Sequence, residues 1–368
     1  MDFSFSPEQE ALRAQARSFL EKRFPAARVA ELALSGDGWD RASWPELAGL
    51  GWVGASIPEA QGGAGLGFLE EAVIFEELGR ALYPGPYFAT VALALPALAC
   101  APELLPLVAS GSFTATLASR EGGGTASRTS SDDVTTSARC VNGRWLLRGE
   151  EHLVPDAASV NAFVVLARGP DGIGLFLTDR QGDRPRTRVL DTVDATRRLA
   201  HVAFEDDEGR LLAAAPLAAE IVARTRRRAL AALALEAVGV ASHALSLGVA
   251  HAKTREQFGR PIGAYQAVSH KLADTYVEVE LARSLAYWAA WCIAEADEKA
   301  GVAAIAAKAY AAEAAVAACE RAIQIHGGMG FTWDHPLHRY YKRALWIESF
   351  DRSGTSHRAE IAHALLDG

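Results

Sequence analysis

The chain changes its periodicity twice, and that alternation limits what it can fold into. From Ser6 to about Leu107 the pattern is helical, beginning with Ala11, Leu12, Ala16, Phe19 and Leu20 on one face. Ser6 and Gln9 form a capping box with Pro7 at the first helical position, which predicts a helix start there. Residues 58–65, PEAQGGAG, interrupt the helices before the period resumes over 68–82. Between about Gly111 and Arg210 short runs rich in threonine and valine take over: TATLAS (114–119), DVTTSARCV (133–141), RWLLRGE (144–150), NAFVVLAR (161–168), GIGLFLTD (172–179) and LAHVAFED (199–206). Asn142-Gly143 between two of them predicts a tight hairpin. From about Leu217 the chain is helical again and rich in alanine. Leu230, Leu233, Ala237, Val238, Ala241, Ala244 and Leu245 trace one apolar stripe, a second long helix follows Pro261, and a third spans 303–325. The expected fold is α+β and mostly α. It has an N-terminal helical domain (1–110), a middle β domain built as a small barrel or sandwich (111–212), and a C-terminal four-helix bundle (213–368).

Bulk properties narrow the function classes. The net charge of −8 argues against nucleic acid and anionic membrane as partners. Cys100, Cys140, Cys292 and Cys319 share no close spacing and no Cys/His cluster stands out, so reduced thiols and no metal are expected. The opening MDFSFSPEQEALRAQA lacks the basic-then-apolar order of a secretory signal, and the apolar run over 88–100 is broken by Pro96 and short for a bilayer. A cytoplasmic protein is the default expectation.

Two motifs carry chemistry. Residues 253–268 read KTREQFGRPIGAYQAV, and residues 324–331 read QIHGGMGF. Arg255 is a fixed cation with a forked donor set suited to a pyrophosphate. Gly327 and Gly328 let backbone N–H groups approach a bulky ligand closely. The first segment resembles the RxxFGxxxxxxQ signature of the acyl-CoA dehydrogenase family, and the second resembles its QxxGGxGF. FSPEQ (5–9), the 58–65 stretch and EELG (76–79) match the family's N-terminal habits, so the likeness runs through essentially the whole chain in order.

The resemblance implies FAD as cofactor, an acyl-CoA thioester as substrate, electron-transfer flavoprotein as acceptor, and a dimer or dimer of dimers. In that family these motifs reach across a subunit interface and hold the adenine and pyrophosphate end of the FAD whose ring sits in the neighbouring chain. Carried over by motif, the residues are Arg255, Gln257, Phe258, Gln266, Gln324, Gly327 and Gly328, with Thr355 near the second FAD.

Elsewhere the family pattern breaks. Its middle domain usually carries a loop like TEPGAGSD and a strand ending WIT, which cradle the flavin ring. Here the loop reads SREGGGT (119–125) and the strand GEEHLVPDA (149–157), placing Leu153 at the Trp position and Pro155 at the Thr position. Proline has neither hydroxyl nor N–H to donate. The family's base is a glutamate. One of its positions, in YEGTS, falls on Ser353 of DRSGTS (351–356), and the alternative falls on Ala229, with Leu230 where an arginine often follows. Neither serine nor alanine can take the substrate's α-proton unaided. Two carboxylates could substitute: Asp351, two residues upstream of Ser353, and Glu236, two helical turns beyond Ala229.

Four readings stay open. The chain could be one subunit of a hetero-oligomeric dehydrogenase, resembling the paired enzymes of actinobacterial steroid side-chain catabolism, and donate the adenine half of a partner's site. It could be an autonomous homomeric dehydrogenase with a non-standard base. It could be an oxygen-reacting or non-redox enzyme of the same fold, or a non-catalytic scaffold.

Overall fold

The computed structural model of the protein describes residues 5–119 and 134–366. The N-terminal part is helical: α1 (Pro7–Arg23), α2 (Ala26–Leu34), α3 (Ser43–Gly49) and α4 (Phe68–Ala81), then a π-helical turn (Phe88–Ala94) that runs into α5 (Leu95–Leu98), and α6 (Leu105–Ala109). The capping box forms as the sequence predicts: Gln9 N–H donates to Ser6 Oγ (3.2 Å) and Ser6 N–H to Gln9 Oε1 (3.1 Å). Helix α4 is buried almost all round, including Glu71, Glu76 and Glu77. Each of these carboxylates meets an arginine: Arg228, Arg283 (3.1 Å) and Arg17 (2.6 Å) respectively. Buried charges persist only when paired in this way.

The middle part contains β1 (Ala115–Ala118), β2 (Ser137–Val141), β3 (Arg144–Pro155), β4 (Ala162–Gly169), β5 (Gly172–Asp179), β6 (Arg186–Val189) and β7 (Leu199–Ala213). Asn142 and Gly143, both at positive φ, make the β2–β3 hairpin. Strand β3 pairs with β7, β7 with β5, β5 with β4, and β4 touches β2, so the sheet closes into a barrel. Strand β1 adds parallel to β4, and β6 adds to β7. Leu147, Phe163, Val165, Phe176, Val202 and Phe204 fill the interior. Of the two expected alternatives, barrel and sandwich, the chain adopts the barrel.

The C-terminal part is a bundle of α7 (Leu217–Thr254), α8 (Gln266–Ala294), α9 (Ala300–His326) and α10 (Leu337–Ser349), followed by α11 (Gly354–Leu366). A short hairpin, β8 (Glu256–Gln257) with β9 (Arg260–Pro261), links α7 to α8. Helices α7 and α9 are long and apolar enough to cross a bilayer by length and composition, yet 72% and 67% of their apolar windows are buried inside the bundle. Every residue from 229 to 241 is buried, because α7 is covered on one side by α4 and on the other by α9. Glycines allow the closest approach: a Cβ on Gly79 would meet the Glu236 carbonyl oxygen at 2.1 Å, and one on Gly239 that of Glu76 at 2.0 Å. Alanine or anything larger at either position would push α4 off α7.

A buried charge cluster bolts the barrel to the bundle. Arg343 of α10, fully buried, donates to Asp194 (2.6 Å), Glu236 (2.6 Å) and the Thr196 carbonyl (2.8 Å). Arg197 also bonds Glu236 and lies over the rings of Phe88 and Trp346. Asp156 sits in the same cluster, and burial pushes its carboxyl up to about 7 despite the two arginines.

Candidate active site and cofactor face

Three parts of the molecule meet at one small cavity. The barrel contributes Leu117, Ser119 and Pro155, and the π-helical turn contributes Leu93. Helix α7 contributes Thr225, Arg226, Ala229 and Leu230, and the α10–α11 link contributes Phe350 and Asp351. The fold thus gathers Pro155, Ala229 and Asp351, which lie far apart in sequence and were picked out for separate reasons. The remainder of the 119–125 loop lies outside the described residues. The cavity holds only about 20 Å³, room for about one water molecule. Sites for drug-sized or cofactor-sized molecules run to roughly 300–1,000 Å³. Leu93, Leu117, Leu230 and Phe350 form its apolar walls.

Asp351 is the cavity's acid, and it is fully engaged. Its carboxylate accepts from Arg226 Nε (3.1 Å), Arg226 Nη2 (2.9 Å) and, at 2.8 Å, pairs with His357 Nε2. Burial alone would push this carboxyl up, but the hydrogen bonds from His357 and Arg226 outweigh it and hold the group below its ordinary value. Arg226 is itself clamped by Glu360 (2.7 Å). The buried Lys308 donates to the carbonyls of Glu348 (2.9 Å) and Arg352 (3.0 Å), pinning the link on either side of Asp351. Burial brings that ammonium down to about 8. A carboxylate held by three hydrogen bonds, with its proton affinity lowered, is a poor general base.

The other sequence candidates lie elsewhere. Ser353 is exposed, and its Oγ is within 3.0 Å of Ser356 Oγ, outside the cavity lining. Glu236 is held between Arg197 and Arg343 in the interdomain cluster. Nothing in the sequence signalled Arg226, because its partners are far along the chain.

The second region lies where α7 and α9 end. His251 and His326 stack at 4.3 Å, which brings the two helix ends side by side. His326 Nδ1 is 2.8 Å from the Ala322 carbonyl, which makes that nitrogen the donor. Arg255 closes α7, its N–H donating to the His251 carbonyl (2.9 Å), and its side chain is exposed with no ion-pair partner among the described residues. The β8–β9 hairpin turns at Phe258 and Gly259, both at positive φ, and leaves Phe258 92% exposed. Gln257 and Gln266 flank it, both exposed, and Gln324 is exposed near the end of α9. Gly327 ends that helix at φ +64°, ψ −142°, a backbone region open essentially to glycine alone. A Cβ on Gly327 or Gly328 would meet nothing within 4 Å. The small size of Gly328 therefore answers no need of this chain's own packing.

Seven of the eight sequence-predicted cofactor residues share this face. Thr355 does not. It opens α11 beside Glu313, to which Arg358 is bonded at 2.6 Å, roughly 16 Å back along α9 from Gln324. Thr355 is exposed, four residues beyond Asp351 of the cavity lining. Around the seven, Met329, Phe331 and Trp333 are exposed, as are Tyr276, Val277 and Leu281 along α8.

Comparison with known proteins agrees with the motifs. Residues 6–102 match the acyl-CoA dehydrogenase N-terminal domain, and residues 198–366 match the acyl-CoA dehydrogenase C-terminal domain. The chain is 33% identical over 341 residues to the acyl-CoA dehydrogenase IpdE2 of Mycobacterium tuberculosis, covering 92% of this chain and 91% of that one. Among solved structures, a variant of the Tcur3481-Tcur3483 steroid ACAD superposes with a TM-score of 0.85 at 32% identity, covering 98% of both chains. The ChsE4-ChsE5 complex from Mycobacterium tuberculosis superposes with a TM-score of 0.89 at 27% identity, covering 100% of both.

Proposed function

The chain belongs to the acyl-CoA dehydrogenase family of oxidoreductases, and on that footing we propose that it serves as one subunit of a hetero-oligomeric dehydrogenase. In this reading it supplies the adenine and pyrophosphate half of an FAD site to a homologous partner. FAD, when bound, accepts the hydride removed from the acyl-CoA thioester. Arg255, Gln324, Gly327 and Gly328 fit the pyrophosphate end: a free cation, an exposed amide and an uncovered glycine turn. The ring end of this chain does not fit. Pro155 has no hydrogen to donate, Ala229 and Ser353 cannot take a proton, and the space the described residues leave between them is only about 20 Å³. That contrast between an equipped face and a ring end lacking its donor and its base is the observation that carries the proposal. The similarity to two solved two-chain assemblies supports it. One of them is a steroid enzyme, which favours a bulky CoA thioester as substrate, and the family membership favours electron-transfer flavoprotein as acceptor.

A second reading has one observation in its favour. Asp351 lines the cavity, so an autonomous homomeric enzyme could use it as base if Arg226 released it. The two readings differ in flavin content. The chain co-expressed with a homologue that keeps the glutamate should hold about one FAD per heterodimer, read from flavin absorbance or native mass spectrometry. The chain purified alone should be nearly colourless. Two FADs per heterodimer, or full loading of this chain by itself, would exclude the shared-site reading.

A further inference from the structure

Away from both regions, the barrel surface carries a side-chain cluster with the chemistry of a transition-metal site. Glu150 and His152 stand two residues apart on β3 and point to the same face. Strand β7 runs antiparallel beside it, and the register slips between Glu151 and Val154, which brings His201 of β7 next to them. Glu150 Oε2 is 3.2 Å from His201 Nε2, and the rings of His152 and His201 are 4.5 Å apart. One ligand atom from each of the three residues lies within 4.8 Å of the other two.

We propose that Glu150, His152 and His201 bind a single divalent transition-metal ion of the zinc type, tying β3 to β7 at the barrel surface. Ligand atoms on a tetrahedral ion with bonds of about 2.0–2.1 Å stand about 3.3 Å apart, and the Glu150–His201 pair already has that spacing. Modest rotation of the exposed His152 ring supplies the third ligand. Two imidazoles with one carboxylate select zinc or its neighbours over calcium or magnesium, which prefer all-oxygen shells. Two ligands at alternate positions of one strand and a third on its neighbour give the base, with Glu150 paired to Ala203 and His201 to Arg188 in the sheet. The outward side remains open for water as the fourth ligand. Arg188 stands opposite His201 in the β6–β7 register, and its charge weakens the site, although its exposed side chain can turn to solvent. The strand register that assembles these ligands explains why the sequence, with no short-range Cys/His spacing, gave no sign of a metal.

The test uses the full chain, stripped with a chelator and titrated with zinc chloride by calorimetry. A parallel titration with cobalt chloride is followed by visible absorption. One equivalent should bind. His152→Gln and His201→Gln should each weaken it at least about tenfold, while His335→Gln, in the other histidine cluster, should not. Zinc should raise the melting temperature of the wild type and leave that of the doubly substituted His152→Gln/His201→Gln chain unmoved. Absence of a one-equivalent event, or an event that survives the double substitution, would overturn the proposal.

Discussion

Substituting Asp351→Asn separates a structural role for this carboxylate from a catalytic one. Asp351 is almost fully buried, and it takes two hydrogen bonds from Arg226 and one from His357. Removing one partner of a buried ion pair costs roughly 3–5 kcal/mol when nothing replaces it. Asparagine keeps the volume and one acceptor oxygen, and Arg226 keeps Glu360, so the expected loss is about 2 kcal/mol. The loss should depend on pH in a defined direction. Burial opposes ionisation of Asp351, yet His357 and Arg226 hold its folded-state pKa below the unfolded value of about 3.9. The unfolded chain therefore binds the proton first as pH falls. The carboxylate's contribution is complete above about pH 5 and disappears as pH drops through the folded value. Urea unfolding of both proteins at pH 7 and pH 4 should show a gap that narrows at the lower pH. Stopped-flow flavin reduction by the two-chain complex should change less than about twofold, whereas loss of a general base would slow it by roughly 10²–10⁴. Equal stability at pH 7 would refute the ion-pair latch. A large rate loss with stability intact would refute the structural assignment and make Asp351 the base.

Arg255→Ala should reduce FAD retention in the complex by roughly 10- to 100-fold without lowering the melting temperature, since a charged hydrogen bond contributes about 1.5–3 kcal/mol and this side chain has no ion-pair partner of its own among the described residues; flavin content after gel filtration measures it. Asp156→Asn tests the buried cluster. With a folded pKa of about 7 against about 3.9 unfolded, the wild-type group binds more protons folded than unfolded between those values, so stability at this site falls as pH rises from about 4 to about 7. The variant should lose that slope and gain stability relative to wild type at pH 8, by thermal or urea unfolding; an unchanged slope would refute the assignment.

How far the sequence reached depended on whether the signal was local. Ser6 with Gln9, and Asn142 with Gly143, are short-range devices whose geometry is set within four residues, and both form as read. The stripe from Leu230 to Leu245 placed α7 in the core, though it understated a helix that is buried on every side between 229 and 241. Strand β6 escaped notice because RTRV alternates charge along the outside of the barrel and offers no apolar run. Ala229 and Pro155 were legible as departures from a family pattern, but their meeting at one small cavity was not. The latch from Arg226 to Asp351 spans 125 residues and the bond from Arg343 to Asp194 spans 149. Such pairs are products of tertiary packing, and no periodicity or spacing announces them.

If the chain shares a cofactor site as proposed, that site constrains the partner more tightly than the family resemblance does. A two-fold pair builds two composite sites, each taking its ring half from one chain and its adenine half from the other. Under the proposed reading, two copies of this chain would join an adenine half to a ring end without the usual donor or base at both sites. Pairing with a chain that keeps its own ring half and glutamate yields one complete site, to which this chain brings Arg255, Gln324 and the glycine turn. The partner must therefore carry a full set of ring contacts and a base. It must also cover the exposed apolar residues beside the motif, Met329, Phe331 and Trp333, together with Tyr276, Val277 and Leu281 on α8. In the proposed pair, burial of those residues would favour the pairing, and a cofactor bridging the two chains would add to it. Loss of FAD should consequently weaken the heterodimer itself, by linkage, since a ligand that binds only the assembled pair stabilises the pair.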